Sequence, residues 1–404
     1  FVPGGITGDY LRVEIIKEKA NFIEASKITE LSPNPLRQKK VCEYATTCGG
    51  CQWSGVNYDH QSHLKKTFIL DAMRRIAKLD IKDQQVSVKP SPKDSYYRNR
   101  VTLRGRIKED GSIVLGFFKR KSRELVPIKK CLITSYHLNN LISSIQNLRL
   151  DKQASIIPFR LELQELSYEK EQHKPFSYVL FHSLNNSRKL DPIIVQLKKD
   201  PTILWVGYDY EAQQSPVAVL EHDKNISYVT CPGVFQQVNS SHNKNLRAHV
   251  KSIIEKLNPK SILDLYCGSG NISLPLADGK RNILGVELSK KSIQLAKINV
   301  KTNNLKNIEY IKSSVHSYLK ELANKKSDFS CVILDPPRKG AKDDIVFLNK
   351  LLPKHIIYIS CDPTTCARDL HTLKEHYQLV DITGFDFFPD TYHIETVVTL
   401  QRKK

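Results

Sequence analysis

From about residue 239 onward the chain alternates between helical and short apolar strand-like runs, and this rhythm limits the fold more than any other feature. The helical run "NKNLRAHVKSIIEKL" leads into the strand "SILDLYC" and a Gly-rich turn. Strand "NILGVEL", helix "SKKSIQLAKINVKTNN" and strand "IEYIKSS" follow, then a short helix, strand "CVILDPP", another helix and strand "HIIYISC". Strands this apolar need cover on both faces, and helices between them supply it, so the pattern predicts a parallel, doubly wound α/β sheet. Ligands of such sheets bind at the carboxyl ends of the strands. The residues that end each strand are therefore the ones to read for chemistry.

Before residue 239 the organisation differs. Residues 1–33 read as short strands, with Leu11, Val13 and Ile15 alternating after the Gly4-Gly5 turn, and Ser32-Pro33-Asn34-Pro35 reads as a linker. Next come the block "CEYATTCGGCQW", a helix expected over 60–79, and a strand-rich stretch from about 86 to 234 that includes "PIIVQL". The chain divides at 1–33, 34–234 and 235–404. No window has the apolar length of a membrane span, and "FVPGGITGDYLRV" lacks the signal-peptide pattern. The start carries no Met, which is read as a processed, cleaved or truncated end. An excess of basic over acidic residues of +20 exceeds what solubility requires and favours a polyanionic partner, with an acidic membrane surface second. Nine cysteines, several inside apolar runs, favour a reducing cytoplasm over a disulfide scaffold.

Five motifs carry chemistry. In Asp264-Leu265-Tyr266-Cys267-Gly268-Ser269-Gly270-Asn271 the glycines permit a tight turn and close approach of a ligand. A GxG turn alone is weak evidence, but Glu287 ends the next strand, where a carboxylate accepts ribose hydroxyls. A third dinucleotide glycine is missing, which favours S-adenosylmethionine over NAD. Asp335-Pro336-Pro337-Arg338-Lys339-Gly340 ends the fourth strand; its acid suits the polar edge of a substrate base, and Arg338 and Lys339 suit phosphate. In "IYISCDPTTCARDL" the thiols of Cys361 and Cys366 are open to reading as a metal pair, a disulfide, inert core thiols, or a nucleophile with a bystander. Strand-end placement favours Cys361 as nucleophile, with a helix starting near Thr364 expected to lower its pKa. Glu395, alone in an apolar β-branched run, is either a solvated strand position or a general base of raised pKa. Cys42, Cys48 and Cys51 on a Gly-rich loop, with Cys131 downstream, have metal-site spacing that suits Zn²⁺ or an iron–sulfur cluster equally. The basic stretch 89–130, with Tyr96, Tyr97, Phe117 and Phe118 interleaved, suits single-stranded or loop RNA.

Together these motifs resemble the RNA 5-methyluridine (uracil-5-) methyltransferases, most closely the iron–sulfur-containing 23S ribosomal RNA type (RlmD/RumA-like). The likeness runs through "PGVFQQVN", "DLYCGSGNISLPLA", "DPPRKG", "SCDPTTCARD" and "FPDTYHIE". It implies a C-terminal Rossmann-like S-adenosylmethionine methyltransferase domain and a strand-rich central RNA-binding domain. It also implies part of an N-terminal TRAM domain, an OB-like β-barrel, and a helical segment 54–85 packed on the C-terminal domain. Cys42, Cys48, Cys51 and Cys131 would then hold a [4Fe-4S] cluster rather than zinc. Gln237, Tyr266, Asn271, Glu287 and Asp335 would line the cofactor and base pocket, with Ser314 where the family often has Asn or Asp. Gln236 stands where an aromatic residue is common. Cys361 would add to C6 of uracil and Glu395 would take the C5 proton.

The expected protein is a cytoplasmic monomer acting on RNA, with 23S ribosomal RNA first and transfer RNA second, and no membrane partner. A non-catalytic RNA-binding factor and an iron–sulfur redox enzyme are the readings from other classes.

Overall fold

The computed structural model describes residues 2–20, 22–32, 34–38, 42–166, 175–182, 188–325 and 329–404. It opens with an antiparallel hairpin of β1 (Tyr10–Lys19) and β2 (Phe22–Ser32), longer than the short strands expected and largely exposed. Helix α1 (Tyr58–Arg75) and the short strand β3 (Val86–Lys89) follow. A mixed six-stranded sheet comes next, made of β4 (Arg100–Ile107), β5 (Ile113–Phe118), β6 (Leu125–Pro127), β7 (Ile157–Leu166), β8 (Phe176–His182) and β9 (Ile203–Tyr208). Helices α2 (Tyr136–Asn147) and α3 (Asp191–Leu197) pack on it.

Both helices add to the strand-rich reading of residues 86–234, and α3 corrects the reading of "PIIVQL" as a strand. In α2, Leu138, Leu141, Ile142 and Ile145 recur at helical spacing and are buried, and Ser135 caps the first turn by accepting from Leu138 N–H. "PIIVQL", read as a strand for its β-branched residues, is helical because Pro192 suits a first turn and Ile193, Ile194 and Leu197 share one buried face. On β4 the side chains alternate: Val101, Leu103 and Ile107 enter the core, while Arg100, Arg104 and Arg106 stay on the outer face.

A second hairpin, β10 (Ala218–Asp223) and β11 (Ile226–Thr230), leads into the C-terminal layers. These run α4 (Ser240–Leu257), β12 (Ser261–Leu265), β13 (Asn282–Glu287), α5 (Lys290–Thr302), β14 (Ile308–Lys312) and α6 (Val315–Leu322). They continue through β15 (Cys331–Leu334), α7 (Lys342–Leu351), β16 (His355–Ser360), α8 (Pro363–Leu373), β17 (Tyr377–Phe385) and β18 (Glu395–Arg402). The eight-stranded sheet has the order β14-β13-β12-β15-β16-β18-β17-β3. Its first five strands are parallel, as the rhythm predicts, and β18 is antiparallel to both neighbours.

The last strand of this sheet and one of its covering helices come from far upstream. Strand β3 pairs in parallel with β17, and α1 buries Ile69, Leu70 and Met73 in the core that α7 and α8 also line. Lys65 of α1 is wholly buried and bonds Asp386 at 2.5 Å. Burial opposes both charges, lowering the Lys65 pKa and raising that of Asp386, so each charge depends on the other. Among the described residues no helix is long and apolar enough to cross a membrane.

Candidate active site

The carboxyl ends of β12, β13, β15 and β16 converge. At the end of β12 the chain turns through Tyr266, Gly268 and Gly270, all at positive φ. A Cβ on Gly270 would lie 2.4 Å from the Tyr310 hydroxyl, so that glycine is required by packing. A Cβ on Gly268 would meet nothing within 4 Å, so the turn faces open space there. Glu287 is clamped beside it: one carboxylate oxygen accepts from Gly268 N–H at 3.3 Å, the other from Ser289 N–H at 2.7 Å. Beneath the turn, Asp264 is buried with one oxygen unpartnered among the described residues, and burial pushes its pKa up to about 7.

The other predicted cofactor residues divide. Tyr266 donates its hydroxyl to Asp344, which also bonds His316 at 3.0 Å. Asn271 spends its side-chain amide on α4, exchanging hydrogen bonds with Asn243 at 2.8 and 3.0 Å and accepting from Arg247 at 3.2 Å. Ser314 caps α6, its hydroxyl accepting from Ser317 N–H at 3.0 Å, a local role at the end of β14. Gln237 is partly buried in the segment joining β11 to α4. It is its neighbour Gln236 that reaches the glycine turn, donating to the Ser269 hydroxyl at 3.3 Å. This gives the unusual Gln236 a physical role.

The thiol lies on the far side of Asp335. Register places it: Ser360 pairs with Thr396 in the antiparallel β16–β18 ladder, so the next residue along, Cys361, falls opposite Glu395. Leu334 pairs with Tyr358 in the parallel β15–β16 ladder, which sets Asp335 one strand away on the same edge. Glu395 is buried, and burial raises its pKa, with the Asp335 charge adding to the rise and Arg338 opposing it. Asp335 is raised by burial as well. These two carboxyls therefore disfavour a second negative charge between them.

Cys361 is half-buried, and its pKa is pushed up to about 11 by burial, then by Glu395 and Asp335. This corrects the expectation of a lowered thiol pKa. The N-terminal amides of α8 are already used: the Asp362 carboxylate accepts from Thr364 N–H at 2.8 Å and Thr365 N–H at 3.4 Å. A helix end contributes about 0.3–1 kcal/mol, whereas burial moves a pKa by several units, so burial wins. Cys366 lies fully buried inside α8 and faces the core.

The upstream cysteines gather separately. Cys42, Cys48, Cys51 and Cys131 are free and partly exposed, and a Cys131 thiolate would raise the pKa of each of the other three. Gly49 N–H donates to Phe118 O at 3.1 Å, tying their loop to the β5–β6 turn, and Asn139 Oδ1 accepts from Cys131 N–H at 2.7 Å. Among the described residues no three His, Cys, Asp or Glu side chains converge in metal-binding geometry. The donor set nevertheless fits a soft metal or cluster, since thiols are the ligands such centres take and a cation would offset the repulsion among their thiolates. Beside them Gly49, Gly50, Phe118, Lys119, Arg120 and Arg123 border a basic hollow of about 620 Å³.

Residues that sequence reasoning missed are those supporting the site from helices. Asn243 and Arg247 on α4 and Asn299 on α5 are polar groups on buried helix faces, and Asn299 donates to Ser269 O at 3.1 Å. The available signal was a polar residue in register with apolar ones.

A doubly wound sheet with a GxG turn, an acid at the end of the next strand and a thiol opposite a buried carboxyl is the architecture of an S-adenosylmethionine-dependent methyltransferase. Residues 57–403 match the tRNA (uracil-5-)-methyltransferase family, and the chain belongs to that family. An uncharacterized RNA methyltransferase of Protochlamydia amoebophila is 31% identical over 100% of this chain and 92% of its own length. The 23S rRNA (uracil(1939)-C(5))-methyltransferase RlmD of Legionella pneumophila is 27% identical over 100% and 92%. The tRNA (uracil-54, C5)-methyltransferase of Pyrococcus abyssi, solved with S-adenosyl-L-homocysteine, has a TM-score of 0.70 and 26% identity, covering 99% of this chain and 95% of that one. The protein is an S-adenosylmethionine-dependent RNA (uracil-5-)-methyltransferase.

Proposed function

We propose that this enzyme forms 5-methyluridine in 23S ribosomal RNA through a covalent adduct between Cys361 and C6 of uracil. The observation that carries the mechanism is the placement of Cys361 opposite the buried Glu395 and beside Asp335. C5 of uracil is too weak a nucleophile to take a methyl group unaided. The part-exposed Cys361 thiol gives its proton to solvent and its sulfur bonds C6 as the C5=C6 π electrons move onto C5 and the C4 carbonyl, which makes C5 enolate-like. S-adenosylmethionine, when bound, supplies the electrophilic methyl group, and Gly268, Glu287 and the other strand-end residues are the ones that would hold it. Asp335 orients the uracil through its N3–H edge. Glu395 then takes the proton from C5, the electrons of that C–H bond restore the double bond, and the C6–sulfur bond breaks. The target base must leave its stack to reach this edge.

Cys42, Cys48, Cys51 and Cys131 are the residues that would hold a [4Fe-4S] cluster, which would cross-link the upstream loop to the segment before α2. The hairpin of β1 and β2 is read as TRAM-like. The outer face of β4, with Arg100, Arg104 and Arg106, is read as an RNA contact. Nine free cysteines favour a reducing compartment, and we place the enzyme in the cytoplasm as a monomer.

Transfer RNA is the second reading, favoured by the substrate in the name of the Pyrococcus abyssi neighbour. Mapping 5-methyluridine in ribosomal and transfer RNA from cells with and without the protein decides between them. The expected outcome is loss of one ribosomal site; loss only in transfer RNA overturns the ribosomal assignment.

A further inference from the structure

A cavity of about 730 Å³ has Cys361 on its wall. Arg338 and Tyr392 come to it from the catalytic edge, and Phe68, Arg75 and Ile76 come from α1. Ligand sites span roughly 300–1,000 Å³, so this volume is more than one flipped base fills. Asp71 and Asp362 also line it, and the Asp362 carboxylate is held at the start of α8 by Thr364 N–H at 2.8 Å. Among the described residues neither Arg75 nor Arg338 has a hydrogen-bond or ion-pair partner, although the adjacent Arg74 is fully used by Ile81 O at 2.8 Å and Asp83 at 2.6 Å. Phe68 and Tyr392 are 42% and 48% exposed, rings left open where the rest of α1 buries its apolar side chains. Two guanidinium groups without a hydrogen-bond partner, of which Arg338 also acts on Glu395, and two part-exposed rings beside Cys361 match the parts of a nucleotide: phosphates for the cations and a base for the rings.

We propose that this cavity is a second nucleotide subsite, taking the RNA residue adjacent to the target uridine. Phe68 and Tyr392 wall its base, and Arg75 and Arg338 meet the phosphates on either side. The inference rests on the RNA reading above and adds that α1, from the far end of the chain, sets which neighbour is accepted. Residues of α1 that never touch the reacting atoms thus become specificity determinants.

The test uses the full chain and oligouridylates of one, two and six residues as probes, with S-adenosylhomocysteine binding as the measure of intact folding. Wild-type affinity should rise sharply from one residue to two. Arg75→Ala should weaken hexamer binding and reduce the slope of log K against log salt by about 0.7, the value for one single-strand phosphate contact. Phe68→Ala should weaken it about 10-fold with the slope unchanged, because stacking releases no counterions. Phe68→Leu, which keeps the packing but not the ring, should lose as much. No gain from one residue to two, or wild-type affinity and slope in both Arg75→Ala and Phe68→Ala, overturns the subsite. Failure of the wild type to methylate any RNA overturns the underlying reading instead, so the two failures are distinguishable.

Discussion

The molecule holds two settings for cysteine, and both raise the thiol pKa for different reasons. At the sheet edge Cys361 is opposed by burial and then by the fixed carboxyls of Glu395 and Asp335. In the upstream loop Cys42, Cys48 and Cys51 are opposed by burial and by the Cys131 thiol, with the Asp390 carboxylate also opposing Cys51 and Cys42. Under the proposed mechanism a substrate that engages the carboxyls relieves the first opposition. A cation placed among the thiols would relieve the second. Under the proposed function the first environment suits a conditional nucleophile and the second a ligand set. The two are physically joined: Trp53, just beyond the cysteine loop, donates its N–H to Asp390 O at 2.8 Å, in the same loop that carries Tyr392 to the reactive cavity.

The comparison breaks at once if Cys361 is dispensable. Cys361→Ala should abolish methyl transfer from labelled S-adenosylmethionine to RNA, a loss beyond about 10⁴-fold for removal of a covalent nucleophile. In the wild type kcat/KM should climb at least tenfold per pH unit between about 6 and 9, because a thiol with a pKa of about 11 is almost wholly protonated there and Glu395, pushed up to about 8, loses its proton in the same range. A flat profile would mean that the carboxyls do not oppose the thiolate in solution. Glu395→Gln should slow turnover by about 10²–10⁴-fold and leave a methylated RNA adduct that is retarded on denaturing gels.

The same variant carries a stability signature. Folding raises the Glu395 pKa above its ordinary value of 4.5, so its contribution to stability is full below that value and disappears as pH rises through the folded pKa. Glu395→Gln should therefore be more stable than the wild type in mildly alkaline buffer, by about 2 kcal/mol in order of magnitude. The difference should vanish near pH 4, as read by urea denaturation at each pH.

These expectations rest on features that differ in how legible they were in the chain. Cys361, Glu287 and Asp335 were legible because helix–strand alternation fixes where strands end, and strand ends meet at one edge. The direction of the Cys361 shift was not, because a helix start is visible in sequence while the depth of burial is not. Asn271 and Ser314 sit where motif spacing places them, but their hydrogen bonds run to α4 and to α6. Such partners depend on helix packing that local pattern does not encode. The attachment of α1 and β3 to the C-terminal sheet was implied only by resemblance. Its physical basis, the Lys65–Asp386 pair and the β3–β17 ladder, joins residues some 300 positions apart.

The ligand-set half of the comparison is sharpened by Cys131→Ser. Four-thiolate coordination fails when one ligand is lost, so purified protein should lose most of its iron and the broad visible absorbance of a cluster. Its thermal midpoint should fall while S-adenosylhomocysteine binding persists, since the sheet edge is built without the quartet. Iron content equal to the wild type would show that Cys131 is no ligand. A chain that binds zinc alone, with no visible absorbance, would reassign the site.

The smallest effect is expected at Cys366, five residues from the nucleophile and in neither setting. Its side chain is fully buried in α8, against the core that β16 and β18 share, and nothing but burial dominates its raised pKa. A buried cysteine of this kind behaves as a small hydrophobe. Cys366→Ala removes one sulfur-sized volume and should cost about 1 kcal/mol, with methyl transfer within about twofold of the wild type. Cys366→Ser should cost more, because it keeps the size but buries a hydroxyl that needs a partner. Thr396 Oγ already donates to Ser360 O at 3.1 Å, which leaves it only as an acceptor there. An ordering in which alanine is the worse of the two for activity would mean that the thiol takes part in the chemistry, and the separation of Cys361 from Cys366 would fail.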